Sequence, residues 1–109
     1  MRVLRGVLEE ELVNSRRMRR EYEQALKRLP KGALIRKQIR RHGYYYLLKR
    51  EGGRVRFDYL GRHISSEVKH RYREAKQLRA KYRKLLAQVK QQVSFLEKAL
   101  HGRSRRAVA

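Results

Sequence analysis

A chain of 109 residues with a formal net charge of +21 has room for one small domain or an elongated two-element body, not for two full domains. Its 31 basic residues stand against 10 acidic ones, an excess that destabilises a compact monomer unless a polyanion neutralises it. The lack of any cysteine excludes disulfides, thiolate zinc sites and cysteine nucleophiles, and no apolar run is long enough to span a bilayer.

DNA and RNA are the polyanions that fit, because Lys and Arg contacts release condensed counterions on binding. An anionic membrane surface is the weaker alternative. Met1 begins no signal-peptide pattern, so a cytoplasmic location is expected. Hydrophobic content of 40% exceeds what basic disordered tails carry, so most of the chain should fold.

In chain order, residues 1–6 read as an extension. From residue 7 to 29, Leu8, Leu12, Met18, Tyr22, Ala25, Leu26 and Leu29 recur at helical spacing. Glu9, Glu10 and Glu11 fall near the expected start, and Lys27 and Arg28 near the end, as the helix dipole prefers. Pro30 and Gly32 stop the helix.

Residues 33–60 change period. Three runs rich in Ile, Tyr, Val and Leu are separated by Arg41-His42-Gly43 and Glu51-Gly52-Gly53, which predicts a three-stranded antiparallel meander. Three-residue loops give the cleaner partition, pairing Ile39 with Tyr45 and Leu47 with Phe57. One face then collects Ile35, Ile39, Tyr45, Leu47, Val55, Phe57 and Tyr59. The other, a basic front, collects Arg36, Gln38, Arg40, Tyr44, Tyr46, Leu48, Arg54, Arg56 and Asp58.

A long helix follows from about residue 65 to 100, with Ser65 or Ser66 as its cap. Val68, Ala75, Leu78, Tyr82, Leu85, Val89, Val93, Leu96 and Leu100 form its apolar stripe, part of it a short coiled-coil seam. Gly102 should end it, leaving residues 103–109 as a flexible basic tail. The fold expected is α+β: one helix–sheet–helix domain over residues 7–102, its two helices packed as an antiparallel pair. The remaining helix length could pair with a second copy or a protein partner.

The segments Leu29-Pro30-Lys31-Gly32, Tyr44-Tyr45-Tyr46-Leu47, Arg50-Glu51-Gly52-Gly53-Arg54-Val55 and Tyr59-Leu60-Gly61 resemble a family of small prokaryotic proteins of unknown function. That family places such a sheet between two helices, and the resemblance covers about residues 25–75. The sheet is also similar, more distantly, to the three-stranded amino-terminal DNA-binding domains of some integrases, which lay a sheet face in the major groove. This second resemblance implies a shared binding module at most, since similar folds host different functions.

On the expected front, Arg36, Arg40, Arg54 and Arg56 offer guanidinium forks for phosphates or guanine edges, and Gln38 could read adenine. Tyr44 and Tyr46 could stack on exposed bases. Lys69, Arg73 and Lys76 mark a second basic surface on the long helix, and Arg16, Arg17, Arg19 and Arg20 a third on the first helix. His42, His63, His70 and His101 are scattered, Asp58 is the sole Asp, and Gly52-Gly53 is no phosphate loop. These features predict a non-enzymatic nucleic-acid-binding protein with no cofactor, metal, membrane or small-molecule substrate. An accessory or regulatory DNA-binding role, linked to mobile elements, is favoured over RNA binding. A helical module docking on a larger partner is the third reading.

Overall fold

The structure is a computed structural model that describes residues 2–108, with side chains described over residues 3–101. The elements run α1 (Arg2–Arg28), β1 (Ala33–Ile39), β2 (His42–Glu51), β3 (Arg54–Gly61) and α2 (Ser66–Val108). The fold is α+β, two helices bracketing one antiparallel sheet of order β1-β2-β3. The chain divides into a helical unit, Met1–Arg28 with Lys81–Ala109, and a sheet unit, Leu29–Ala80.

In the helical unit the apolar stripes close on each other. Leu12, Val93, Leu96 and Leu100 form the buried cluster, with Leu8 packed against it. Tyr22 meets Tyr82 with ring centroids 6.2 Å apart, so the start of α1 lies beside the end of α2 and the pair is antiparallel. Ser15 of α1 is almost wholly buried. A small residue there lets two backbones approach, and its hydroxyl does not stand among the unsatisfied buried groups.

Both helices are longer than their periodicity predicts. α1 begins at Arg2, not residue 7, so Glu9, Glu10 and Glu11 lie beyond its first turn, which holds no acidic residue. The helix runs through Gly6, and α2 likewise runs through Gly102 to Val108. A glycine inside a helix costs about 1 kcal/mol against alanine but does not forbid the turn. The side chains of residues 103–109, expected as a basic tail, lie outside the described residues. Lys27 and Arg28 do occupy the last turn of α1. At the start of α2, Ser65 caps as expected: its Oγ accepts from the Val68 N–H at 3.2 Å.

In the sheet unit, Leu47 (7% exposed) and Ala75 are the buried apolar residues. Gly32 closes over Leu47 with φ +100°. A Cβ there would stand 3.1 Å from Leu47 Cδ1 and 2.9 Å from the Leu48 carbonyl oxygen, so this position requires glycine. Arg79 Nη2 donates to the Pro30 carbonyl at 2.7 Å, tying α2 to the same connection.

The strand pairing corrects the expected register. Ile39 pairs with His42 and Glu51 with Arg54, so both turns have two residues, not three. Gly52 and Gly53, at φ +56° and +77°, make the left-handed pair that matches the twist of flanking strands. The first turn uses Arg40 and Arg41, at φ +49° and +70°, where arginine pays a steric cost of about 1–2 kcal/mol per residue. Leu48, not Leu47, opposes Phe57, and Tyr45 opposes Arg36 rather than Ile39. Relative to β1 and β3, the middle strand is turned over, and a bulge at Tyr45/Tyr46 brings Gly61 opposite Tyr45.

Candidate nucleic-acid interface

Turning β2 over redistributes the expected site. Directly paired residues share a face, so Arg36, Gln38, Arg54, Arg56 and Asp58 lie with Tyr45, Leu47, Lys49 and Glu51. Tyr44, Tyr46 and Leu48 lie on the opposite face, with Ile35, Lys37, Ile39, Val55, Phe57 and Tyr59. The basic, tyrosine-bearing front predicted from sequence is therefore two faces: one bears arginines, the other aromatic rings. Arg40 sits in the turn between β1 and β2.

On the arginine face the charges are unequally free. Arg56 Nε lies 3.0 Å from Asp58 Oδ1 and its Nη1 3.4 Å from Glu51 Oε2, while Lys49 also reaches Asp58 at 3.9 Å. Among the described residues, Arg36 and Arg54 have no carboxylate within ion-pair distance. Arg36 lies across Gly43, whose hydrogen leaves room for the guanidinium; a Cβ there would collide with it. The α2 side of this face is marked by Lys69, whose Nζ lies 5.2 Å from the Tyr45 ring centroid. Arg73 and Lys76, both exposed, follow the half-buried Lys69 along α2 at four- and three-residue steps.

The aromatic face is open. Phe57 is 46% exposed and Tyr59 57%, with Ile39 and Val55 exposed beside them. Tyr59 lies between two other rings, its centroid 5.5 Å from Tyr46 and 6.3 Å from Tyr44. Cations edge this cluster: Lys37 Nζ stands 4.0 Å from the Phe57 centroid and 5.4 Å from Tyr46, and Arg62 Cζ 5.9 Å from Tyr44. Lys37, Phe57, Tyr59 and Arg62 were not among the expected site residues. The alternation of Lys37, Phe57 and Tyr59 within β1 and β3 was visible, but only the turn lengths decide that they share a face with Tyr44 and Tyr46.

Among the described residues, no group of three or more His, Cys, Asp or Glu side chains could hold a metal ion. No described helix is long and apolar enough to cross a membrane. A family profile, the domain of unknown function DUF6788, matches residues 9–70, more than half the chain and all of the sheet. The chain belongs to the DUF6788 family. The small family of unknown function that the four sequence segments resemble thus has a counterpart in this match. No curated protein and no solved structure matches the chain.

Proposed function

We propose that this is a non-enzymatic nucleic-acid-binding protein of the cytoplasm that stacks unpaired bases on the open sheet face. The supporting observation is the ring face, on which Phe57 and Tyr59 are exposed and Tyr59 meets the half-buried Tyr44 and Tyr46, with Lys37 over Phe57 and Arg62 beside Tyr44 on a chain of net charge +21. Rings displayed on a sheet accept any base, and each stacked base contributes about 1–3 kcal/mol. The surrounding cations supply the phosphate contacts.

Insertion of one mixed sheet face into a DNA groove, the favoured expectation from sequence, loses ground to single-strand binding. It relied on the arginines and Gln38, which the register keeps on one face, but Tyr44 and Tyr46, the residues suited to unpaired bases, join the open ring face instead. Arg56 is moreover held by two carboxylates. An accessory or regulatory role fits either strand state.

Fluorescence anisotropy with duplex DNA, single-stranded DNA, single-stranded RNA and structured RNA, between about 50 and 200 mM salt, tests the reading. Unpaired strands should bind tightest and keep their advantage as salt rises, because stacking is not counterion release. Equal affinity for duplex and single strand throughout would reject it. A second reading, assembly through the helical unit, has the exposure of Phe95 (67%) and Val13 (65%) in its favour.

A further inference from the structure

Beside the aromatic face, the sheet unit contains a cleft of about 280 Å³ whose lining has four permanent cations and no carboxylate. Arg36, Arg41, Arg62 and Lys69 line it, with His42 and His63 between them. Between Pro30 and Arg50 the sequence has no acidic residue at all. Each cation is set in place by a different device. Arg36 lies in the space that Gly43 leaves. Arg41 is held at φ +70° in the tight turn. Arg62 Nη2 donates to His42 Nδ1 at 2.7 Å, and Lys69 rests on the Tyr45 ring.

Four like charges gathered in one recess repel, and the turn that supplies Arg41 is itself sterically costly. A bound anion offsets both. We propose that the cleft is a phosphate-binding site for a phosphomonoester, supplied by the phosphorylated end of a nucleic-acid strand. The choice of a strand end rests on the proposed function above. A phosphomonoester brings close to two negative charges and three acceptor oxygens, which suits several guanidinium forks better than a singly charged phosphodiester. Arg62 joins the cleft to the ring cluster, since it lines the one and lies against Tyr44 of the other. A terminal nucleotide held by its phosphate therefore has an aromatic platform within reach.

The test uses the full chain and short single strands with a 5′-phosphate, a 3′-phosphate or hydroxyls at both ends, compared by anisotropy. Phosphorus NMR of inorganic phosphate with the protein supplies a second, strand-free arm. One phosphorylated end should bind about tenfold more tightly than the hydroxyl form, equivalent to about 1.4 kcal/mol. Arg36→Gln and Arg62→Gln should bring that ratio toward unity. Gly43→Ala should lower it too, by crowding Arg36 without changing the net charge, which separates a built site from bulk charge. Circular dichroism checks that each variant is folded. Strand binding without end preference, with no phosphate bound in the NMR arm, overturns the cleft and leaves the proposed function standing. Phosphate binding that Arg36→Gln abolishes, with no strand bound, keeps the cleft but rejects both the strand-end source and the proposed function. Failure of both arms rejects both proposals.

Discussion

In the helical unit, arginines have carboxylates: Arg5 with Glu9, Arg17 with Glu21 and Arg19 with Glu23 along α1, and Arg16 with Glu97 across to α2. In the sheet unit, Arg36, Arg41 and Arg62 converge on one cleft with no carboxylate in its lining, and Lys37 lies on aromatic rings. Both units are rich in basic residues and both pair some of them, Arg56 and Lys49 in the sheet unit with Glu51 and Asp58, but only the sheet unit aims further cations into one recess. Apolar surface divides the other way. Leu12, Val93, Leu96 and Leu100 are buried between helices, while Phe57 and Tyr59 remain open on the sheet. The helical unit also exposes Val13 and Phe95, so what sets the sheet unit apart is not exposed apolar surface as such but rings grouped beside cations. Charge alone would not have distinguished them.

The comparison breaks if stability and binding turn out to reside in the same residues. Leu96→Ala removes a buried side chain from the helix pair and should cost about 2–5 kcal/mol of stability, read from urea unfolding. Strand affinity under conditions where the variant is folded should stay within about twofold, as for distant, independent sites. A parallel collapse of affinity would mean that the helical unit forms part of the binding surface. Tyr59→Ala should do the opposite. It removes the ring between Tyr44 and Tyr46 and should weaken single-strand binding by about 1–3 kcal/mol. Because Tyr59 is largely exposed, its stability cost should stay near about 0.5 kcal/mol. Unchanged affinity would remove the aromatic face from the interface.

Helix packing was legible in the sequence because one repeating distance specifies it: Val89, Val93, Leu96 and Leu100, expected in the stripe, are all buried. Helix ends were less so, since Gly102 reads as a stop and residues 1–6 as an extension, while α2 runs through the first and α1 begins at Arg2. In the sheet, the three strands were legible but their pairing was not. Gly43 resembles a turn residue, yet it lies in β2 and serves to make room for Arg36. The real turn is made by Arg40 and Arg41, residues that carry no left-handed signal. Each misread turn reverses the pleat, and two in succession turned over β2 alone. The arginines were thus identified by type and the rings by type, but not the face that each occupies. The cleft was further from reach, because it joins the turn, Arg62 and Lys69 across a register that residue spacing left open.

The smallest effect tests the comparison most sharply, because it contrasts two substitutions with the same change in net charge. Arg19→Ala removes a cation paired with Glu23 at 3.1 Å on α1, whereas Lys37→Ala removes one from the ring face of the sheet with no carboxylate in ion-pair reach among the described residues. The exposed Arg19 pair should contribute only about 0.3–0.5 kcal/mol to stability. Its loss also leaves Glu23 without that partner, so the long-range field changes equally in both variants. What differs is the number of phosphates contacted. If binding is local to the ring face, Lys37→Ala should reduce the magnitude of the logarithmic salt slope by about 0.7 for a single strand, and Arg19→Ala should leave it unchanged. Anisotropy titrations at four or so salt concentrations measure both slopes. Equal reductions would mean that strands see the protein as one diffuse cation, and the contrast between paired and aimed charge would have no consequence for binding.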